Sequence, residues 1–434
     1  MNWLRWFFIF LSLFLVTTAL NFIARKKMLF SYAVAPGYDG LYYLKGQTAI
    51  TGLWEAENDS IALQFRGQGI KYNNRFKVYT GNTPITGARG SKLVFKPMQG
   101  LHTYSIQIND LPPVQAQISY SPDSLYRAKG NSGGQLFELI HADIPVTSSS
   151  FYDLSDWAMR FEQFNDPEHH AEADRYLSDS MGVTPTDRSQ ERVIKIARYI
   201  LQVVRGMDGV PVDSLSALSP VRQLQCVQAG QSQLWCGNYA AIFSYFATRA
   251  GVPVRLVSCG DFEYTISRGT HVFNEVFIQE LNKWCYVDLL AKTVFVQKGQ
   301  QPLNVIDVSR LLRYNVHDSD LTALYFDGRD TATVPFTQVQ STAKYYFHPG
   351  NTFRFLFSSY LEKQTPRNMA ERVQKAFWPK PYYALYGDGL IIRTEQLFIR
   401  IATTWLMPVL FLLTLFTGWK TLRRRKTAKN RGYR

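Results

Sequence analysis

Cys236, His271 and Asp288 are the residues of this 434-residue chain whose types and order could perform covalent chemistry. A thiol attacks only as its thiolate, so it needs a base. An imidazole serves as that base best when a third group fixes its tautomer and orientation. Cysteine at the head of a helix, followed by histidine and aspartate on successive strands, supplies nucleophile, base and orienter in that order.

The chemistry depends on the elements that carry these side chains. Tyr239, Ala240, Phe243, Phe246, Ala247 and Ala250 recur at the three- and four-residue spacing of one helix face. Cys236 falls on the same stripe one turn earlier, so the spacing predicts an inward-pointing thiol. Gly251 suits the left-handed residue that closes a helix, and Pro253 cannot continue one. At the other end, the amides and partial positive charge of a helix N-terminus favour a thiolate. Two short β-like runs follow. In the first, His271 shares a face with Phe273 and Glu275; in the second, Asp288 shares a face with Trp284 and Tyr286, while Cys285 points the other way. Glu280 to Lys283 reads as the turn between them. Two antiparallel neighbours would then present His271 and Asp288 side by side to the helix start.

The runs Cys236-Gly237-Asn238-Tyr239-Ala240, Arg249-Ala250-Gly251-Val252-Pro253-Val254-Arg255, His271-Val272-Phe273-Asn274-Glu275-Val276 and Trp284-Cys285-Tyr286-Val287-Asp288 resemble the core of the transglutaminase-like superfamily. The resemblance covers roughly residues 185 to 300. It implies a papain-like fold and a Cys-His-Asp triad: Cys236 as nucleophile, His271 as base and then acid, Asp288 as the group that orients the imidazole. It also implies acyl transfer or amide hydrolysis through a cysteine thioester, on a protein, peptide or glycopeptide substrate. The motifs are more specific to the fold than to the reaction. This chain departs from the pattern at Trp235, where relatives carry a small polar residue, and at Phe273, where many carry tryptophan. The amide of Cys236 is one candidate oxyanion donor, and Gln225, Gln228, Gln231 and Gln233 all lie upstream as candidates for the other. This chemistry requires no metal and no cofactor, and the chain has no calcium-loop pattern.

Plainer readings compete. A single cysteine on an apolar helix face is commonly a small core residue, and Cys259 and Cys285 are read that way, as strand residues facing the core. A papain-like groove can also serve a membrane-tethered binding module without turnover. With Cys236 reduced, Cys226, Cys259 and Cys285 form an odd set. Pairing of Cys226 with Cys259 or Cys285 stays open, and a Cys226 to Cys236 bridge would switch the enzyme off.

Composition and charge place the rest of the chain. It is 46% hydrophobic and 19% charged, a globular balance with a membrane component. Trp6 to Ile23 is an uncharged apolar run long enough to cross a bilayer, and it leads into Arg25-Lys26-Lys27 rather than a small-residue cleavage site. It is read as an uncleaved anchor rather than a signal peptide. Ile401 to Trp419 is a second such run. Lys420, Arg423, Arg424, Arg425, Lys426, Lys429, Arg431 and Arg434 follow it with no acidic residue, which puts this tail in the cytoplasm and the main domain outside. Arg25 to Lys27 oppose this topology and are outvoted by the tail. Of the net +14, only about +2 belongs to the region between the two ends. The positive charge therefore reports membrane topology and gives no surface for nucleic acid.

The expected architecture is α+β. A membrane anchor (1–27) leads to a β-rich sandwich-like domain (28–145), a transglutaminase-like domain (150–305) and a β/α extension (306–396), with a membrane helix (397–419) and the basic tail (420–434) at the end. In the β-rich part, residues 60–65, 76–79, 92–95 and 104–108 alternate faces at sandwich-like intervals. Spacing of the catalytic domain from the membrane is preferred there to ligand binding. Asp166-Pro167-Glu168 and the capping-box-like Asp187-x-x-Gln190 start two helices, the second burying Val193, Ile196, Ala197, Ile200, Val203 and Val204. Segments 343–347 and 353–357 look like strands. Aromatics at 377–383 suit a membrane interface. Two decoys are set aside: the glycine-rich Gly130 to Gly134, which would need a histidine and an aspartate on preceding barrel strands where His102 is the only histidine upstream, and His169-His170 beside Glu172, which do not face one metal site.

Overall fold

A computed structural model describes residues 2–27, 33–57, 59–121, 136–147, 152–161, 167–260, 270–313, 321–348, 351–358, 382–387 and 394–431. The glycine-rich run at 130–134, Asp166 and most of the aromatic segment at 377–383 lie outside these residues. The chain is α+β and divides into two compact units, Pro36–Trp157 and the remainder.

The chain opens with helix α1 (Trp3–Lys27) and the short strand β1 (Ala33–Val34). The Pro36–Trp157 unit then runs through helix α2 (Gly37–Tyr42), strands β2 (Ala49–Ala56), β3 (Ser60–Arg66), β4 (Asn74–Thr80), β5 (Thr83–Gly90), β6 (Lys92–Phe95), β7 (Gly100–Ile108), β8 (Val114–Ser121) and β9 (Leu136–Ala142), and helix α3 (Leu154–Trp157). Its strands form a sheet β2-β3-β6 and a sheet β5-β4-β7-β8-β9, paired antiparallel throughout. Period-two burial explains the layering: Val114, Ala116, Ile118 and Tyr120 of β8 are buried while the residues between them are not. Ile61, Leu63, Leu93 and Phe95 from one sheet join Phe76, Val78, Ile106 and Ile118 from the other in a single core.

In the second unit, helices α4 (Pro167–Arg175), α5 (Ser189–Val203), α6 (Pro220–Gln228) and α7 (Cys236–Arg249) precede strands β10 (Val254–Gly260), β11 (His271–Ile278), β12 (Lys283–Val287), β13 (Thr293–Lys298) and β14 (Gln301–Pro302). Helix α8 (Val305–Arg313), strands β15 (Leu321–Phe326) and β16 (Thr331–Pro335), helices α9 (Phe336–Val339) and α10 (Ser341–Tyr346), strands β17 (Thr352–Leu356) and β18 (Tyr383–Tyr386), and helix α11 (Thr394–Arg431) complete it. The main sheet has the order β1-β18-β17-β10-β11-β12, and a second sheet the order β14-β13-β15-β16.

The two faces of the main sheet differ in kind. On one, Val254, Val276, Ile278, Cys285 and Val287 meet the apolar stripe of α7 and the buried residues of α5 and α6 in one core. Asn274 fixes the helix on that face, its Nδ2 donating to Ser244 Oγ at 2.7 Å and to the Ala240 carbonyl at 3.2 Å. On the other face Arg255 and Glu275, cross-strand partners and both fully buried, form an ion pair with Nη2 to Oε2 at 2.6 Å. The guanidinium lies between the rings of Trp284 and Phe355 at 4.3 and 4.8 Å, and Glu275 Oε1 accepts from the Val305 amide at 2.8 Å. Hydrogen bonding and ring stacking around both charged groups are what make a buried pair tolerable.

Some sequence expectations need correction. Residues 343–347 are not a strand: Ser341–Tyr346 is helical, because Ala343 and Phe347, four apart, both face the core. The helix expected from Asp187 starts at Ser189. There the Glu191 carboxylate takes the Arg188 amide at 3.0 Å, while Asp187 is drawn to Thr184 and Lys195, each at 2.7 Å. Val193, Ile196, Ala197, Ile200 and Val204 are buried as read, and Val203 only partly.

Two helices are long and apolar enough to cross a membrane, over Trp3–Ile23 and Ile401–Arg424. They lie antiparallel: Trp3 packs edge-on against Phe416, Phe14 meets Phe411, and Asn21 Nδ2 donates to Thr403 and Thr404 at 2.8 and 3.0 Å. Polar residues such as Thr17, Asn21, Thr414 and Thr417 are buried, while Phe8, Leu15, Leu412 and Trp405 point outward. This polar-in, apolar-out arrangement is the reverse of a water-soluble helical hairpin.

Candidate active site

Helix α7 begins at Cys236 because Trp235, its N-cap residue, is extended, and the chain before it is tied down. Leu234 donates to the Met207 carbonyl at 2.8 Å and accepts from the Gly209 amide at 3.0 Å. Tyr239 then donates to Asp208 at 2.6 Å, and Asn238 Nδ2 donates to Gln223 Oε1 of α6 at 3.1 Å. Four side chains and a short parallel bridge thus fix where the helix starts, and with it the half-buried thiol of Cys236.

His271 is the first residue of β11, and Asp288 follows the last residue of β12. The antiparallel register brings their side chains together: His271 Nε2 and Asp288 Oδ2 are 2.6 Å apart, and both residues are buried. Tyr286 donates to the same Oδ2 at 2.9 Å, and Asp288 Oδ1 accepts from the Ala291 amide at 3.2 Å. The backbone of Asp288 pairs with Thr293 in both directions, with Lys292 in the left-handed region (φ 56°) closing the turn. The carboxylate is therefore held by its own backbone as well as by its donors.

The remaining ring nitrogen decides the character of the site. His271 Nδ1 is buried and makes no hydrogen bond of ordinary geometry. With Nε2 committed to Asp288, Nδ1 is the ring nitrogen that remains, and Cys236 and His271 are close enough for each to shift the other's pKa. Burial alone would raise the thiol pKa, but the neighbouring His271 imidazole with its charge and the amides of Val272 and Gly237 outweigh it, so Cys236 titrates below the ordinary thiol range. Burial likewise works against the imidazolium, and the Asp288 carboxylate and Cys236 overcome it, raising His271 to about 10. The two shifts point the same way, favouring transfer of the thiol proton to the imidazole. The other strand thiols behave oppositely. Cys259 and Cys285 are buried and their pKa values are pushed far up by desolvation.

Tyr346, at the end of α10, was not legible as part of this site. Its ring stacks on His271 at 4.4 Å with 17° between planes, and Phe273 approaches the imidazole at 5.5 Å. The Tyr346 carbonyl accepts from Cys259 Sγ at 3.1 Å and from Asn351 Nδ2 at 2.8 Å, so the turn carrying the ring is fastened at its backbone. Burial raises the phenol pKa, and the nearby charges of Cys236 and Asp288 add to it.

The upstream glutamines are placed differently from one another. Gln225 binds Glu172 and Arg222, and Gln228 contacts Tyr176 and Tyr199, so both are engaged in a surface network around α6. Gln231 and Gln233 are exposed. The glutamine that touches the helix start is Gln223, which sequence reasoning passed over. All four cysteines are free thiols, so none of the pairings left open is formed. Among the described residues no three His, Cys, Asp or Glu side chains cluster as metal ligands would.

No protein-family model and no curated protein matches the chain. Among solved structures, the crystal structure of red sea bream transglutaminase aligns at 12% identity with a TM-score of 0.20, covering 56% of this chain and 48% of that one. The chain thus spans about half of that protein's length. So loose a superposition carries no argument about function, which rests instead on the geometry at Cys236.

Proposed function

We propose that this protein is a membrane-anchored cysteine enzyme of transglutaminase-like type, acting on an amide or acyl substrate outside the cytoplasm. The observation that carries the proposal is the ring of His271, with Nε2 held by Asp288 and Nδ1 left for the Cys236 thiol. Cys236 Sγ attacks the acyl carbon, and the carbonyl oxygen gathers charge near the exposed amides at the start of α7, with the Cys236 amide as one donor. Imidazolium Nδ1 gives its proton to the leaving amine, and the C–N bond breaks to leave a thioester. A water or an amine, deprotonated by the now neutral imidazole, attacks that thioester and releases Cys236. Hydrolysis and cross-linking share the first half and diverge only in the acceptor. Asp288, accepting from Nε2–H, keeps the neutral ring in the tautomer whose Nδ1 lone pair faces the reacting atoms and can take up and return a proton.

The topology belongs to the same reading. With α1 and α11 antiparallel, the chain start and the basic tail lie on one side, which the eight positive charges assign to the cytoplasm. The test is intact-mass and peptide analysis of the full chain in detergent after exposure to iodoacetamide and to a peptide acyl donor. The proposal expects Cys236 to be alkylated at neutral pH far faster than Cys226, Cys259 or Cys285, and an acyl adduct that maps to Cys236 and vanishes in Cys236→Ala. Equal, slow labelling of all four thiols would favour a groove that binds without turnover.

A further inference from the structure

The unit that carries Cys236, His271 and Asp288 shows water little apolar surface outside its membrane helices. Among its described residues from Ala158 to Tyr386, the large apolar side chains that stand in solvent are Val210, Val212, Trp235 and Tyr345, at 73, 49, 50 and 69% exposure. Each belongs to a segment that borders Cys236 or His271. Trp235 precedes Cys236 in the chain. The run from Met207 to Val212 lies along the residues entering α7: the Leu234 amide donates to the Met207 carbonyl at 2.8 Å, the Gly209 amide to the Leu234 carbonyl at 3.0 Å, and the Val212 amide to Ser232 Oγ at 3.2 Å. Tyr345 packs edge-on against Tyr346, with 4.9 Å between ring centroids, and Tyr346 is the ring stacked on His271.

Neither capping nor core packing accounts for this surface. Trp235 is the N-cap residue of α7, a position where serine, threonine, aspartate or asparagine is favoured for the bond its side chain accepts, and Trp235 makes no such bond. Pro211, buried between Val210 and Val212, stiffens the backbone there while both valines stay outside. Apolar side chains held in place at the surface beside a reactive group are the makings of a binding site whose ordering cost is already met. Whatever covers Trp235 also lies near the atom that Cys236 attacks, because one residue step along a chain spans only ~3.8 Å. We propose that Val210, Val212, Trp235 and Tyr345 form the specificity surface for the acyl donor, and that this donor is a peptide with large apolar residues next to the amide attacked. The inference rests on Cys236 being the nucleophile. Tryptophan and tyrosine suit the role, since they bury a large area with few torsions to fix.

The experiment uses the full chain in neutral detergent and two fluorescein-labelled peptides. Each has a central glutamine, whose side chain and backbone offer amides of both kinds; phenylalanines flank it in one peptide and serines in the other. Binding is read by anisotropy on Cys236→Ala, which cannot turn over, and acylation by the intact-mass adduct on Cys236 of the parent. The phenylalanine peptide should bind roughly tenfold more tightly than the serine peptide, and acylate the parent faster by a similar factor. Trp235→Ser, and Val210→Ser combined with Val212→Ser, should each narrow that preference to about threefold or less, and Tyr345→Ser should narrow it in part. Leu101→Ser, at a comparably exposed apolar residue of the other unit, should leave it whole. Protection of Cys259 and Cys285 from iodoacetamide certifies the fold of each variant. Selective binding without an adduct supports the surface and counts against the reading of Cys236 instead. The proposal is overturned if neither peptide binds, if adducts form on Cys236 with no preference between the two, or if the preference survives in the folded variants. Loss of the preference when the chain is moved into phosphatidylcholine nanodiscs also overturns it, and would assign the surface to the bilayer.

Discussion

Replacing Asp288 by asparagine separates the charge of the site from its shape. The carboxylate accepts from His271 Nε2 at 2.6 Å, Tyr286 Oη at 2.9 Å and the Ala291 amide at 3.2 Å. An amide of the same size keeps one oxygen for His271 and Tyr286 and loses only the bond from the Ala291 amide, which its NH₂ cannot accept, so the ring stays in place while the negative charge is lost. A charge-assisted hydrogen bond exceeds a neutral one by about 1–2 kcal/mol. The Coulomb attraction between carboxylate and imidazolium about 4 Å apart at an effective dielectric of 20 is ~4 kcal/mol. At about 1.4 kcal/mol per factor of ten, the thiolate–imidazolium population at pH 7 should fall by between ~10-fold and ~10³-fold. The assay is the pseudo-first-order rate of iodoacetamide labelling at Cys236, followed by intact mass from pH 5 to 10. The parent protein should label at a rate that levels off below the ordinary thiol range, and Asp288→Asn should move that rise toward higher pH. Continued protection of Cys259 and Cys285 reports that the fold is intact. A correctly folded variant that labels within threefold of the parent at pH 7, with an unmoved profile, would refute the assignment of Asp288 as the charge that supports the pair.

Labelling and turnover should part company at alkaline pH. Labelling needs only thiolate, so it rises as pH passes the lowered Cys236 pKa and then stays level; turnover also needs imidazolium as acid, so it should fall again as pH passes the His271 value of about 10. Tyr346→Ala removes the ring stacked on His271 but not the carbonyl that Cys259 and Asn351 hold, and should slow Cys236 acylation by roughly 2- to 10-fold, with Tyr346→Phe near the parent rate. Arg255→Met strands the fully buried Glu275 carboxylate and should cost about 3–5 kcal/mol, read as a fall in the thermal unfolding midpoint on the order of 10 °C; Arg255→Met with Glu275→Gln should recover part of it. Asn21→Leu, which deletes the clasp to Thr403 and Thr404, should weaken pairing of the two apolar helices by only about 0.6 kcal/mol in a helix-association assay, because membrane hydrogen bonds compete with other partners.

The parts of the site that the sequence made legible are those with a strict local period. The three- and four-residue spacing from Tyr239 to Ala250 fixed α7, and alternation placed His271 and Asp288 on one face, because in these elements neighbours along the chain determine side-chain direction. What stayed hidden was long-range. β17 and β18 join the main sheet from about a hundred residues downstream, and no local pattern says that β10 will pair with β17. Tyr346 was lost for a related reason: Lys344-Tyr345-Tyr346-Phe347 is rich in aromatics and looks β-like. The helical signal there is a single pair, Ala343 and Phe347, in an element of six residues. Gln223 was passed over because four other glutamines follow it closely, and only packing of α6 on α7 selects the one that faces Asn238.

A histidine kept for structure would be expected to have both ring nitrogens paired, since a buried unpaired nitrogen costs stability and returns nothing. In His271 one edge is bound to Asp288, one face is covered by Tyr346 and Phe273 lies close by, which together leave the imidazole little freedom to turn. The freedom that remains is whether Nδ1 carries a proton, and the titratable neighbour whose charge bears on it is a thiol at the positive end of a helix. The surroundings thus immobilise every part of the ring except the atom a general base must keep available. That asymmetry, more than the meeting of three side chains, separates a catalytic reading of the site from a structural one.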